Sequence, residues 1–313
     1  MEFSKKHILD VESLSSEEIK IILDTADSMK KINERPVKKV PTLKGKTIVL
    51  FFQEPSTRTK LSFDLAAKRL SADSISLASS SSSMKKGETL LDTARTIEAM
   101  NADILVMRHS MSGAPHFLSR YLDCSIINGG DGRHAHPSQA LLDLMTIREK
   151  KGRTDELNIS IIGDISNSRV ARSNMISFGK MGSSVTIFGP PAMIPEGVEK
   201  GFNIKVASSA RAAVEKADVV MMLRIQKERQ GGNLFSTERE YSRYFGLNHD
   251  LLKYIKKDAV IMHPGPVNRG VELSSDIADS KISVINEQVT NGVALRMALF
   301  YLVSGGVKNE NTN

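Results

Sequence analysis

Short apolar runs alternating with amphipathic stretches constrain this chain more than any other feature. Segments 46–52, 103–107, 125–128, 158–163, 184–188, 218–223 and 259–262 are each a few residues long and apolar through their middle. That is the pattern of strands buried on both faces of a parallel sheet. Segment 74–77 is also β-like. Helical spacing fills the intervals, beginning with a capping box of Ser15 and Glu18 followed by Ile19, Ile22, Leu23, Ala26 and Met29. Further helices are expected over 58–70, 89–100, 114–121, 138–151, 169–181, 210–216 and 249–256. A charged stretch, 148–156, interrupts the alternation once. The expectation is an α/β chain of two domains, 1–150 and 151–288, each a mostly parallel sheet flanked by helices. A closing helix over 289–303 is expected to pack back on the first domain, ahead of a polar tail at 304–313.

Composition narrows the partners. With 43 Lys and Arg against 36 Asp and Glu, the chain carries a formal charge of +7, which points to an anionic ligand. Nucleic acid is disfavoured, because there is no Trp, aromatics are 5% of residues, and no basic run is interleaved with aromatics that could stack bases. The single cysteine, Cys124, rules out an intrachain disulfide, and residues 1–11 show no apolar export signal. Apolar runs such as 48–52 and 219–223 fall far short of the roughly 20 residues that cross a bilayer. A cytoplasmic location is expected, with no membrane and no nucleic-acid partner.

In open α/β sheets, ligands bind beyond the C-terminal ends of the strands. Six expected strands end in polar or conformationally special residues. The first runs into Ser56, Thr57, Arg58 and Thr59 at the start of a helix, where free N–H groups and the positive dipole end suit a phosphate. A plainer reading makes Ser56 an N-cap and Arg58 a solvated residue. The others end at Arg108 and His109, at His134 to Gln139, at Asp164 with Arg169, at Arg224 and Gln226, and at His263 to Gly265. No Ser-His-Asp order, carboxylate pair or Cys/His metal spacing stands out among them. Donors dominate, so the expected chemistry is orientation and charge stabilisation around a phosphorylated substrate and a second, multiply negative one, without a covalent intermediate.

Two other patterns compete. Residues 130–135 match a relaxed GxGxx(G/A) fingerprint, but the acid of a dinucleotide site should follow sooner than Asp164 does. His134 and His136 could pair on a metal, yet no Cys or acid stands at ligand spacing, and no metal or cofactor is expected. The serine run 79–83 would ordinarily be a linker; followed by Lys85, Lys86, Gly87 and Glu88 it reads as a substrate-binding loop.

The segment Phe52-Gln53-Glu54-Pro55-Ser56-Thr57-Arg58-Thr59 resembles the carbamoyl phosphate signature of the aspartate and ornithine carbamoyltransferases. The segments 84–89, 107–109, 136–139, 163–169, 224–229 and 262–270 resemble the aspartate branch in order and spacing, so that the likeness covers nearly the whole chain. Two positions differ mildly: Ser138 stands where Thr is frequent, and Val170 follows Arg169 where some members have Thr. The resemblance implies transfer of a carbamoyl group to L-aspartate, early in pyrimidine biosynthesis, in a cleft between the two domains.

By that resemblance, Ser56, Thr57, Arg58 and Thr59 hold phosphate and Arg108 is shared between phosphate and carbamoyl oxygen. His136 and Thr59 polarise the carbonyl. Gln139 and the backbone carbonyls of Pro264 and Gly265 receive the carbamoyl NH2. Arg169 binds the α-carboxylate of aspartate, and Arg224 with Gln226 the side-chain carboxylate. Ser82 and Lys86 reach a neighbouring subunit's site, which implies a homotrimer, with a regulatory chain or a dihydroorotase as further partners. The alternatives are an ornithine carbamoyltransferase, which would need an acid or neutral acceptors near Arg224, and a non-catalytic scaffold of the same fold.

Overall fold

The computed structural model describes residues 3–78, 87–225 and 237–305. Ser82, Lys86 and Gln226, with the rest of the loop at 79–86, lie outside these. The chain divides into two compact units, Met1–Met145 with Thr290–Asn313, and Thr146–Val289.

The first unit opens with α1 (Ser16–Asn33), whose capping box forms in both directions: Glu18 N–H donates to Ser15 Oγ at 3.1 Å, and Ser15 N–H to Glu18 Oε2 at 2.8 Å. The apolar spacing buries Ile19, Ile22, Leu23, Ala26 and Met29 on one face. There follow β1 (Thr47–Phe52), α2 (Thr57–Arg69), β2 (Asp73–Ala78), α3 (Leu90–Ala99), β3 (Ile104–His109), α4 (Ala114–Leu118), β4 (Ser125–Asp131) and α5 (Pro137–Lys151). The four strands form one parallel sheet in the order β2-β1-β3-β4. Every residue of β3 and β4 is buried, so the apolar middles of 103–107 and 125–128 lie inside strands that run on through polar residues to His109 and Asp131. Val49, Phe51, Leu105, Met107 and Ile126 pack one face of the sheet against Ala94 and Ile97 of α3 and Leu118 of α4.

The second unit contains β5 (Asn158–Ile162), α6 (Arg169–Lys180), β6 (Ser184–Phe188), α7 (Val198–Phe202), β7 (Lys205–Val206), α8 (Ala210–Val214), β8 (Val219–Met222), α9 (Glu238–Phe245), α10 (His249–Leu252), β9 (Val260–Met262) and α11 (Ser275–Ala278). Its five strands are also all parallel, in the order β7-β6-β5-β8-β9. Ile162, Val220, Met222 and Ile261 build its core with Val214, Leu251 and Ile277. The closing helix, α12 (Ile285–Val303), begins four residues before the expected 289, because Ile285 to Gln288 continue the same turns. No helix among the described residues is long and apolar enough to cross a membrane.

Both strand orders contain a switch point. From β1 the chain moves outward to β2, then crosses back to place β3 on the other side of β1. From β5 it moves outward to β6 and β7, then returns to place β8 beside β5. Crevices open at such reversals, beyond the strands' C-terminal ends.

Candidate active site

Residues after β1 and β3 meet at the first switch point. Gln53 N–H donates to the Arg108 carbonyl at 2.8 Å, tying the segment that leaves β1 to the end of β3. Ser56 is the N-cap of α2, but its side chain makes no capping hydrogen bond. The plainer reading holds in part, since Ser56 occupies the cap position and Arg58 is exposed, but the Ser56 side chain does not cap the helix, whose N-terminus is of the kind that suits an anion. Thr59 is buried, whereas Thr57 and Arg58 are exposed.

Arg108 is buried and held from two sides. Its Nη1 donates to the Gly129 carbonyl at 3.1 Å and its Nη2 to Glu54 Oε1 at 2.8 Å. Beside it, His109 is buried and accepts Met111 N–H on Nδ1 at 2.9 Å. Burial lowers the His109 pKa against the pull of Asp131 and Glu54, so the ring is neutral at pH 7.

The loop from β4 to α5 is organised by Asp131. Its Oδ1 accepts from Asn128 Nδ2 at 2.8 Å and Ala135 N–H at 3.1 Å, and its Oδ2 from Gly113 N–H at 2.6 Å and His134 Nδ1 at 3.0 Å. His136, buried, follows at the start of α5, and its carbonyl accepts from Gln139 N–H at 3.0 Å. The fingerprint-like glycines have a different use here from dinucleotide binding. Gly132 has φ +46°, and a Cβ on it would collide with Ser112 Oγ, so the residue makes room for the neighbouring loop.

His116, Asp131 and His134 place ligand-type atoms within 4.8 Å of one another. A metal would have to displace hydrogen bonds that Asp131 already accepts, four in all, while His116 meets Asp10 Oδ2 through Nε2 at 2.6 Å. The cluster is a hydrogen-bond hub that holds the loop carrying His136. Burial alone would raise the Asp131 pKa, but the hydrogen bonds from His134, Asn128 and Gly113 outweigh it and hold the carboxyl below its usual range. A group depressed in the folded state contributes stability above its unfolded pKa of about 3.9, and loses it as pH falls through the folded value. Asp131→Asn is therefore expected to cost about 2–3 kcal/mol at pH 7. The deficit should shrink below about pH 4, as read from urea unfolding; a deficit independent of pH would contradict this role.

The second switch point brings together residues after β5 and β8. Asp164 is fully buried and fixes the turn before α6, accepting from Asn167 N–H at 3.2 Å and Asn167 Nδ2 at 3.0 and 3.1 Å. Ser168 caps α6 through Ala171 N–H at 3.1 Å, and Arg169, its first residue, is buried. Leu223 N–H donates to the Ile162 carbonyl at 2.8 Å, carrying the pairing to the edge where half-buried Arg224 emerges.

After β9, His263 Nδ1 accepts Gly265 N–H at 2.8 Å while its Nε2 faces Glu272 Oε1 at 3.3 Å, both side chains being buried. Glu272 Oε1 also accepts Asn268 N–H at 2.6 Å, so the backbone at Pro264 and Gly265 is pinned by a buried pair. The sequence assigns no role to Glu54, Asp143, Glu272 or Arg296. Only Arg296 left a signal, as an arginine within an apolar run.

Two α/β units, each presenting guanidinium groups at the switch point of a parallel sheet, define a protein that binds small anions. The chain belongs to the aspartate/ornithine carbamoyltransferase family: its carbamoyl phosphate-binding domain model matches residues 6–149 and its Asp/Orn-binding domain model residues 155–303. The chain is 64% identical to the aspartate carbamoyltransferase catalytic subunit of Desulforapulum autotrophicum over all of both chains. It is 61% identical to that of Desulfosudis oleivorans over 99% of each. Among solved structures, aspartate transcarbamoylase from Trypanosoma cruzi in complex with N-(phosphonacetyl)-L-aspartic acid superposes with a TM-score of 0.86 at 28% identity, covering 96% of each chain. The ornithine carbamoyltransferase of Pyrococcus furiosus superposes equally well, with a TM-score of 0.87 at 30% identity over 98% of this chain and 100% of that one. The fold thus does not separate the two acceptors.

Proposed function

We propose that the chain transfers the carbamoyl group of carbamoyl phosphate to the amine of L-aspartate, giving N-carbamoyl-L-aspartate and phosphate, an early step of pyrimidine biosynthesis. The observation that carries this reading is the set of donors at the two switch points, on a chain 56–64% identical to eight aspartate carbamoyltransferase catalytic subunits. Ser56, Thr57, Arg58 and Thr59 hold the phosphate, Arg108 bridges phosphate and carbamoyl oxygen, and His136 with Thr59 polarises the carbonyl. Gln139 and the carbonyls of Pro264 and Gly265 take the NH2. Arg169 binds the α-carboxylate and Arg224 with Gln226 the distal one.

The amine attacks the carbonyl carbon, the C–O bond to phosphate breaks, and the departing phosphate accepts the amine's proton. No base from the protein is needed. Catalysis is by orientation and by donors set in advance against the developing oxyanion. Transfer to L-aspartate and to L-ornithine, measured side by side, tests the acceptor. Aspartate should be carbamoylated and ornithine not, because an ammonium brought against Arg224 is costly; comparable turnover of both would overturn the assignment.

We assign the active form to a cytoplasmic homotrimer in which Ser82 and Lys86 complete a neighbour's site, with a regulatory chain or a dihydroorotase as further partners. A reducing compartment suits the one cysteine, Cys124, whose thiol is buried and pushed up to about 12 by burial and by Glu98. Lys86→Ala and Arg58→Ala chains, each nearly inactive, should regain activity when dissociated and remixed. Verified hybrids that stay inactive would refute the shared site.

A further inference from the structure

An arginine buried in an apolar helix has to be compensated. Arg296 of α12 is 4% exposed, donates from Nη1 to the Gly292 carbonyl at 2.9 Å, and lies 4.9 Å from the centre of the Phe63 ring. The helix makes space for it: a Cβ on Gly292 would stand 2.6 Å from Arg296 Nη1 and 3.3 Å from Leu142 Cδ2. Burial lowers the pKa of Arg296 to about 10, Asp143 opposes that, and Arg108 adds to it, so the guanidinium stays charged at neutral pH. Asp143 is fully buried on α5, one turn after Gln139, and accepts a hydrogen bond from Gln139 Nε2 at 2.9 Å.

These facts fix which way round Gln139 stands. An ionised carboxylate only accepts hydrogen bonds, so the amide must turn its NH2 end to Asp143 and keep Oε1 for another partner. A neutral group at position 143 could meet either end. A carboxylate at Asp143 is therefore what makes Gln139 one-sided, and the buried Arg296 guanidinium interacts with it electrostatically in the same interior.

We infer that Asp143 is a positioning residue that presents Gln139 to the substrate only as a hydrogen-bond acceptor, and so selects an acyl phosphate carrying NH2 over one carrying CH3. This rests on the reading of Gln139 as a receiver of the carbamoyl NH2. Carbamoyl and acetyl phosphate have nearly the same shape and the same phosphate. They differ at the atom facing Oε1, where an amino group donates and a methyl leaves the acceptor unpaired.

The test compares three ligands on the full-length protein: carbamoyl phosphate as substrate, and acetyl phosphate and inorganic phosphate as competitive inhibitors. Asp143→Asn should narrow the preference for carbamoyl over acetyl phosphate by about tenfold or more, with inorganic phosphate binding changed by less than about threefold because the phosphate donors are untouched. The double variant Asp143→Asn/Arg296→Met removes both buried charges and so escapes the cost of an unpaired one. It should show the same narrowing even if the single variant is unstable. Arg296→Lys keeps the cation and should keep the preference. Two results would overturn the inference: folded variants that retain the full preference, or a loss that weakens all three ligands alike, as mere structural damage would. If the unsubstituted protein fails to transfer from carbamoyl phosphate at all, the fault lies in the functional reading beneath it.

Discussion

Arg108→Ala is expected to lower kcat/KM for carbamoyl transfer by about 10³-fold, with most of the loss in kcat. The guanidinium is already in place, donating to Gly129 and Glu54 at 3.1 and 2.8 Å, so its field at the developing oxyanion needs no rearrangement when the reaction occurs. Its removal has a second effect. Glu54, whose side chain is 20% exposed, loses the guanidinium that meets it at 2.8 Å, which leaves more negative charge where a phosphate must enter. Two predictions separate the components. Arg108→Ala/Glu54→Gln should recover about tenfold in affinity for carbamoyl phosphate, by relieving repulsion, without restoring kcat. Arg108→Lys should restore less than the full charge effect, because an ammonium cannot reproduce the two-pronged hold. A loss below about tenfold in the single variant, with thermal stability unchanged, would remove Arg108 from the chemistry.

How far the sequence reveals this molecule depends on where each signal resides. The capping box of α1 and the apolar runs of β1, β3, β4, β5, β8 and β9 are local, because burial on both faces of a parallel sheet leaves a continuous apolar trace. The strand order is not local. Nothing in the residues 73–78 states that β2 lies outside β1, yet that order creates the switch point beside Arg108. The short elements α7, β7, α9 and α11 leave no trace in the sequence either, since two to eight residues carry too little periodicity to register. Polar residues at the strand ends were visible by type, but the groups that fix them were not. Asp131 was one letter in a glycine-rich stretch, and its four hydrogen bonds come from residues as far apart as Gly113 and Ala135. Asp143 lies inside the expected helix 138–151 and Glu272 in a stretch with no expected element; the burial of both shows only once the chain has folded.

In the proposed mechanism this chain gathers two anionic substrates among fixed donors, with neither a covalent intermediate nor a base of its own. A molecule that joins both substrates, N-(phosphonacetyl)-L-aspartic acid, carries the phosphonate and both carboxylates at once and is ordered only once on binding. It should therefore gain most of the two substrates' combined interactions for a single loss of translational and rotational freedom. Isothermal titration calorimetry of this analogue, beside carbamoyl phosphate and L-aspartate alone, measures the effect directly. The predicted result is a Kd at least about 10³-fold below that of either substrate, weakened by about 10²-fold or more in Arg108→Ala and in Arg224→Ala separately. An analogue that binds no more tightly than carbamoyl phosphate, or whose affinity survives both substitutions, would contradict the account.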